Sequence, residues 1–185
     1  MFSLAIVLSI AIKNSLPSIS FARSILVSQD IAAVVYREFE EKNIKNIESP
    51  NTAVALLSGV VIGESGLRGD IEDCSVTGDR GRSIGLGQVM KGPNWLGHSR
   101  KEICGSRQLQ LKLALRVLDF CSRDAHGQAS VFRCYTSGNS KKDSYIARHE
   151  NSIYESVNYL MLANSKRINP TEHFSYYKSI AKYRM

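Results

Sequence analysis

The sequence predicts a mainly α, single-domain protein, and three observations carry that prediction. Residues 52–67 are apolar on nearly every side, with Val54, Leu56, Leu57, Val60, Val61 and Ile62, as expected of a helix at a domain centre. Residues 108–120 and 144–162 carry apolar side chains at helical spacing. The chain of 185 residues has an ordinary globular composition, enough for one real core, and no internal repeat or low-complexity linker divides it.

At the start of the chain, residues 2–12 form an almost unbroken apolar run, too short to span a bilayer comfortably. A polar stretch with Pro17 follows. Ser20 and Ala22 then offer small residues where a signal peptidase reads, although no lysine or arginine precedes the run. Residues 1–22 are therefore expected to be a secretory signal and 23–185 the mature domain, with no stable membrane span after cleavage. A membrane anchor or a buried core helix are the other readings of the same run. The net charge of +7 suits an anionic partner such as cell-wall polymer, nucleic acid or a membrane face, and charge alone does not choose among them. No sustained lysine and arginine run with interleaved aromatics points to nucleic acid. Cys74, Cys104, Cys121 and Cys134 make an even count behind a signal-like start, which favours two disulfides in a periplasmic or secreted protein. Of the three possible pairings, Cys74–Cys104 with Cys121–Cys134 is expected. The first would tie the loop after Glu64 to the start of the 106–120 helix, and the second would tie that helix's end to the element bearing Tyr135.

Further along, residues 31–45 place Val34, Val35, Phe39 and Ile44 roughly on one helical face. Ser49 or Asn51, around Pro50, is a plausible cap for the central helix, in which Gly59 and Gly63 would admit a close neighbour. Residues 68–83 read as a polar loop carrying Asp70, Glu72, Asp73 and Asp79. Residues 84–90 are short and glycine-broken, and 91–94 form a turn. Leu109, Leu113, Val117 and Phe120 define the 108–120 helix. Another helix is expected over 128–136, interrupted by Ser137, Gly138 and Asn139. Ile146, Ile153, Val157, Tyr159, Leu160 and Met161 define the 144–162 helix, Pro170 breaks it, and a basic, tyrosine-rich tail over 173–184 closes the chain.

Glu64 is the one charged residue between Asn51 and Leu67. A carboxyl at the end of a buried apolar helix is costly to ionise, which keeps it available as a proton donor. Glycoside cleavage needs such a group to protonate the leaving oxygen. The histidines are scattered and match no metal spacing, so neither metal nor cofactor is expected. Trp95 could line a cleft or simply pack.

Three ordered motifs sharpen the expectation. Gly63-Glu64-Ser65-Gly66 is followed by Ser83-Ile84-Gly85-Leu86-Gly87-Gln88-Val89-Met90 and then by Tyr135-Thr136-Ser137-Gly138. Over about residues 50–160 the set resembles the Slt-type lytic transglycosylases and their goose-type lysozyme relatives. The resemblance implies a lysozyme-like helical domain that cleaves peptidoglycan between N-acetylmuramic acid and N-acetylglucosamine. It implies Glu64 as general acid and base, with substrate held by Ser83, Gly85, Gln88, Met90 and Tyr135, and a 1,6-anhydromuramoyl product. Gly87 stands where the family commonly has methionine, which suggests a more open wall, and Thr136 replaces the usual asparagine. The small size suggests service to a secretion or wall-opening assembly. Two alternatives stand beside it: a goose-type hydrolase using a second acid from the 70–79 loop, and a non-catalytic wall-binding protein.

Overall fold

The computed structural model describes residues 4–138 and 145–165; Asn139, Pro170 and the 173–184 tail lie outside them. The described residues are mainly helical, as the sequence predicts. Helices α1 (Leu4–Ser15), α2 (Phe21–Glu40), α3 (Pro50–Ser65), α4 (Gly69–Glu72), α5 (Arg100–Cys104), α6 (Arg107–Ser122), α7 (Gln128–Ser137) and α8 (Tyr145–Ser165) surround one hairpin, β1 (Ser83–Ile84) and β2 (Val89–Met90). The strands are antiparallel, with Ser83 opposite Met90 and Ile84 opposite Val89.

The centre is α3, against which α8, α2, α6 and α1 all pack. Ser49 caps it by accepting a hydrogen bond from the Thr52 N–H at 3.1 Å, and Pro50 sits in the first turn, where its missing N–H costs nothing. Every residue from Ala53 to Ile62 is buried. Each large side chain in that stretch contributes roughly 1.5–3 kcal/mol by leaving water. The one hydroxyl among them, on Ser58, is spent on the Val54 carbonyl at 2.7 Å. Gly66 ends the helix with φ +56°, a conformation that only a residue without Cβ adopts freely.

Several boundaries differ from expectation. Helix α2 begins at Phe21, well before Ile31, and ends at Glu40 instead of near Lys45. The early serines are helical because their hydroxyls bond within the helix, Ser24 to the Phe21 carbonyl at 2.7 Å and Ser28 to that of Ser24 at 2.6 Å. Ile44 is buried outside the helix, in a turn fixed by Asp119, whose Oδ1 accepts from the backbone N–H of Lys45, Asn46 and Ile47. The expected 68–83 loop contains α4 and one 3₁₀ turn over Asp79–Gly81. Helix α5 was not anticipated; a reciprocal capping box between Ser99 and Glu102 starts it.

The segment expected to be a signal forms α1, which packs on α2 and α8 through Val7, Leu8, Ala11 and Ile12. Lys13 closes the turn into α2 by donating to the Pro17 and Ile19 carbonyls. Among the described residues, no helix is long and apolar enough to cross a membrane. Both expected disulfides are present, Cys74–Cys104 and Cys121–Cys134, each with Cα atoms 5.6 Å apart. Trp95 packs: it is buried, and its indole N–H donates to the Val89 carbonyl at 3.1 Å.

Helix α8 crosses α3 at Gly59 and Gly63. A Cβ on Gly59 would lie 2.8 Å from the Glu150 carbonyl oxygen and 3.1 Å from the Phe132 ring. Neither backbone nor buried ring can yield cheaply. Gly59→Ala is therefore expected to lower stability by about 1–3 kcal/mol, read from the denaturant midpoint at unchanged slope. An unshifted midpoint would show that the crossing is looser than this.

Candidate active site

One cleft of ≈ 230 Å³ opens between α3, the 78–94 segment and α7. Glu64 lines it from α3, Asp79 from the 3₁₀ turn, Ser83, Gln88 and Met90 from the hairpin, and Tyr135 and Thr136 from α7. Four of the five expected substrate-binding residues (Ser83, Gln88, Met90 and Tyr135) thus meet Glu64 around one opening.

Glu64 is the last residue but one of α3, and no basic side chain lies in that final turn. Burial pushes its carboxyl up to about 7; the adjoining Glu150 side chain, as a potential hydrogen-bond donor, pulls the other way, and the negative charge of Asp79 adds to the rise. The helix C-terminus, with its partial negative charge, further disfavours ionisation. The result is a carboxyl that holds its proton near neutral pH while facing a cleft.

Gly85 does not line the cleft, which corrects one expectation. It has φ +72°, and a Cβ there would lie 2.7 Å from the Gln110 Oε1. Gly87 is similarly enclosed: a Cβ there would lie 2.7 Å from the Ala114 Cβ and 2.8 Å from the Tyr135 hydroxyl. These glycines bring the hairpin against α6, not against substrate. A methionine at position 87 has no room, and its absence does not open the wall, because Tyr135 occupies that side. The Tyr135 hydroxyl donates to the Gly87 carbonyl at 2.7 Å, tying α7 to the hairpin. Its ionisation is pushed well up, first by burial and then by the charges of Glu64 and Glu150, so it stays neutral.

Gln110 was invisible to sequence reasoning and holds the whole wall. Its Oε1 accepts from the Leu86 N–H at 2.8 Å, while its Nε2 donates to the carbonyls of Glu72 at 2.7 Å and Ile103 at 3.0 Å. A glutamine on an amphipathic helix ordinarily reads as solvent-facing; only the three-way geometry reveals it. Gln88 shares structural work too, since its Nε2 donates to the Gly85 carbonyl at 2.9 Å within the hairpin turn.

The four loop acids separate cleanly. Asp70 is turned to Arg68, and Asp73 accepts from the Ser75 N–H at 2.8 Å. Glu72 bridges Arg23 and Arg107 in an ion network that extends to Asp30. Asp79 alone lines the cleft, with its Oδ2 accepting from the Ser83 hydroxyl at 2.8 Å.

A second carboxyl lies behind Glu64. Glu150, on α8, is fully buried, and a Cβ on Gly63 would fall 2.5 Å from its Cγ. Burial, then the charge of Glu64, pushes its carboxyl up to about 10. In the sequence it is one acid in a mixed, charge-bearing stretch, and nothing in its spacing marks it. Among the described residues, no group of three or more histidine, cysteine or acidic side chains could hold a metal ion.

Comparison with protein-family models, characterised proteins and solved structures gives no significant match to this chain.

Gln110→Leu keeps the size of the side chain and orphans two backbone groups, the Leu86 N–H and the Glu72 carbonyl, while the Ile103 carbonyl keeps the Ser106 N–H at 3.2 Å. A loss of about 1–3 kcal/mol for each group left buried and unpaired is expected. Thermal melting checks the stability loss, and amide exchange at Leu86 checks its location. Ordinary protection of that amide in the variant would contradict the latch.

Proposed function

We propose that this protein cleaves the β-1,4 bond between N-acetylmuramic acid and N-acetylglucosamine in peptidoglycan as a lytic transglycosylase. The observation that carries the reading is a single carboxyl, Glu64, held at about 7 in an open cleft. A group poised there can donate a proton and then accept one, which the two halves of the reaction require. Glu64 protonates the glycosidic oxygen as the bond to C1 breaks. The resulting carboxylate then takes the proton of the muramoyl 6-hydroxyl as that oxygen attacks C1, closing the 1,6-anhydro ring without water. The substrate's own N-acetyl group assists at C1, and the intramolecular hydroxyl is pre-oriented for attack. Ser83, Gln88, Met90 and Tyr135 would hold the sugars.

The open cleft beside Glu64 weighs against a purely wall-binding role, which needs no proton donor facing solvent. The two disulfides suit an oxidising compartment, periplasmic or secreted, and the net charge of +7 suits an anionic wall.

A second reading is favoured by one specific observation. Asp79 lines the same cleft and its charge acts on Glu64. An inverting hydrolase places such a base roughly 6.5–9.5 Å from the acid, with water between them. In that case Asp79 activates water and the product carries a reducing end.

Glu64→Gln should lower wall lysis by about 10²–10⁴-fold with little change in melting temperature. Lysis within a few-fold of wild type would remove the assignment. Because the protonated form starts the reaction, the rate should fall about tenfold per pH unit above pH 7, the value to which Glu64 is raised. Asp79→Asn separates the two routes. Retained activity with anhydromuropeptides in the mass spectrum is expected of the transglycosylase. A loss as deep as that of Glu64→Gln, with reducing-end products from the wild type, would establish the hydrolase.

A further inference from the structure

We propose that Glu150 is a positioning residue for Glu64: a buried, neutral carboxylic acid whose O–H donates to the Glu64 carboxylate and fixes where it points. The inference rests on Glu64 being the proton donor. Its geometric basis is the crossing of α3 and α8. Gly63, adjacent to Glu64 in the chain, leaves room for the Glu150 side chain, since a Cβ there would lie 2.5 Å from its Cγ. The carboxyl is wholly enclosed and neither oxygen is hydrogen-bonded among the described residues, which leaves its proton for the adjoining Glu64 carboxyl once that group ionises.

The charged and titratable groups around this pair are few. Glu64 faces Glu150 from α3, Tyr135 approaches from α7, and Asp79 acts on Glu64 from the 3₁₀ turn. On α8 itself, Arg148 is exposed and His149 stacks on Tyr145. Among the described residues, no cation acts on either carboxyl. Two buried carboxylates without a cation cannot both ionise at neutral pH. The wholly buried one keeps its proton, and the one facing the cleft titrates.

The consequence is directional. A carboxylic acid donating to a carboxylate makes a short, charge-assisted hydrogen bond, stronger than the same acid meeting a neutral carboxyl. The bond therefore strengthens as Glu64 surrenders its proton to the leaving oxygen. Stabilisation that grows along the reaction accelerates it, whereas equal stabilisation of both states would not. The same bond holds Glu64 below the value that burial alone would impose.

The test uses the full chain with ¹³C-labelled glutamate, so that both carboxyl titrations are read by NMR independently of lysis, with Glu64→Gln and Glu150→Gln providing the assignments. In the wild type, the Glu150 signal should stay that of a protonated acid to about pH 9, whereas an ordinary carboxyl titrates near pH 4.3. Titration in that ordinary range overturns the proposal. Glu150→Gln keeps a donor and should leave lysis within a few-fold and the Glu64 midpoint nearly in place. Glu150→Leu removes the donor; the Glu64 midpoint and the alkaline fall of the pH–rate profile should both move up by about one pH unit, with lysis reduced at least tenfold. An unmoved midpoint in Glu150→Leu, or equal damage from glutamine and leucine, also overturns it. If Glu64→Gln retains lysis, the enzyme reading fails on its own, and the titrations still decide whether the two carboxyls are paired.

Discussion

The cleft depends on how closely α8 can lie against α3. A helix that is apolar nearly all round has no face to spare for a charged neighbour, yet α3 presents two glycines one turn apart, and both are used. At Gly59 the α8 backbone and the Phe132 ring of α7 come within van der Waals range of the α3 main chain, and Phe132 meets Tyr154 of α8 edge-on at 6.1 Å. At Gly63 the Glu150 side chain passes over the helix. Three helices are thereby brought into contact at one end of α3, and each delivers a functional group there. Glu64 comes from α3, Tyr135 from α7 and Glu150 from α8.

The opposite wall is built on another principle. The hairpin is short and, of its apolar side chains, buries only Ile84, Leu86 and Val89, so polar anchors add to its hold. Gln110 connects Leu86, Glu72 and Ile103, Tyr135 reaches Gly87, and Ser83 fixes Asp79. Cys74–Cys104 ties the loop between Glu64 and Asp79 to α5, and Cys121–Cys134 joins α6 to α7 one residue before Tyr135. Buried hydrogen bonds of this kind contribute modestly when made and cost more when broken. They define geometry more than they add stability, which suits a wall whose task is to keep Gln88 and Asp79 across from Glu64.

Much of this was legible in the sequence, and the limits have physical causes. The central helix, its cap and its lone acid follow from an apolar run with one charge at its end. Both disulfides are the pairing expected among the three that four cysteines allow. The start of α2 was obscured because Ser24 and Ser28 look like loop residues until their hydroxyls are seen bonded to the helix itself. Gly85 was expected to meet substrate, but it and Gly87 are packed against Gln110, Ala114 and Tyr135, and only packing reveals which surface a glycine meets. Glu150 and Gln110 were hidden for a common reason. Each is a polar residue on a helix, whose ordinary place is in water. Burial of such a residue is a tertiary fact that periodicity does not record.

The placement of positive charge completes the logic. The chain is basic, yet the described residues lining the cleft include no lysine or arginine. Cations sit elsewhere in the scaffold: Arg23 and Arg107 bridge to Glu72 and Asp30, while Lys112 and Arg116 enclose the buried Glu38 between α2 and α6. One guanidinium beside Glu64 would favour its ionised form and lower its pKa by one to three units, on the order of the rise that burial produces. The group would then be a carboxylate at neutral pH and useless as a donor. An acid of this kind is therefore maintained by two conditions at once, apolar burial around it and exclusion of cations from its surroundings. A neutral donor such as a protonated carboxyl satisfies both, because it can meet a carboxylate without bringing a positive charge to it.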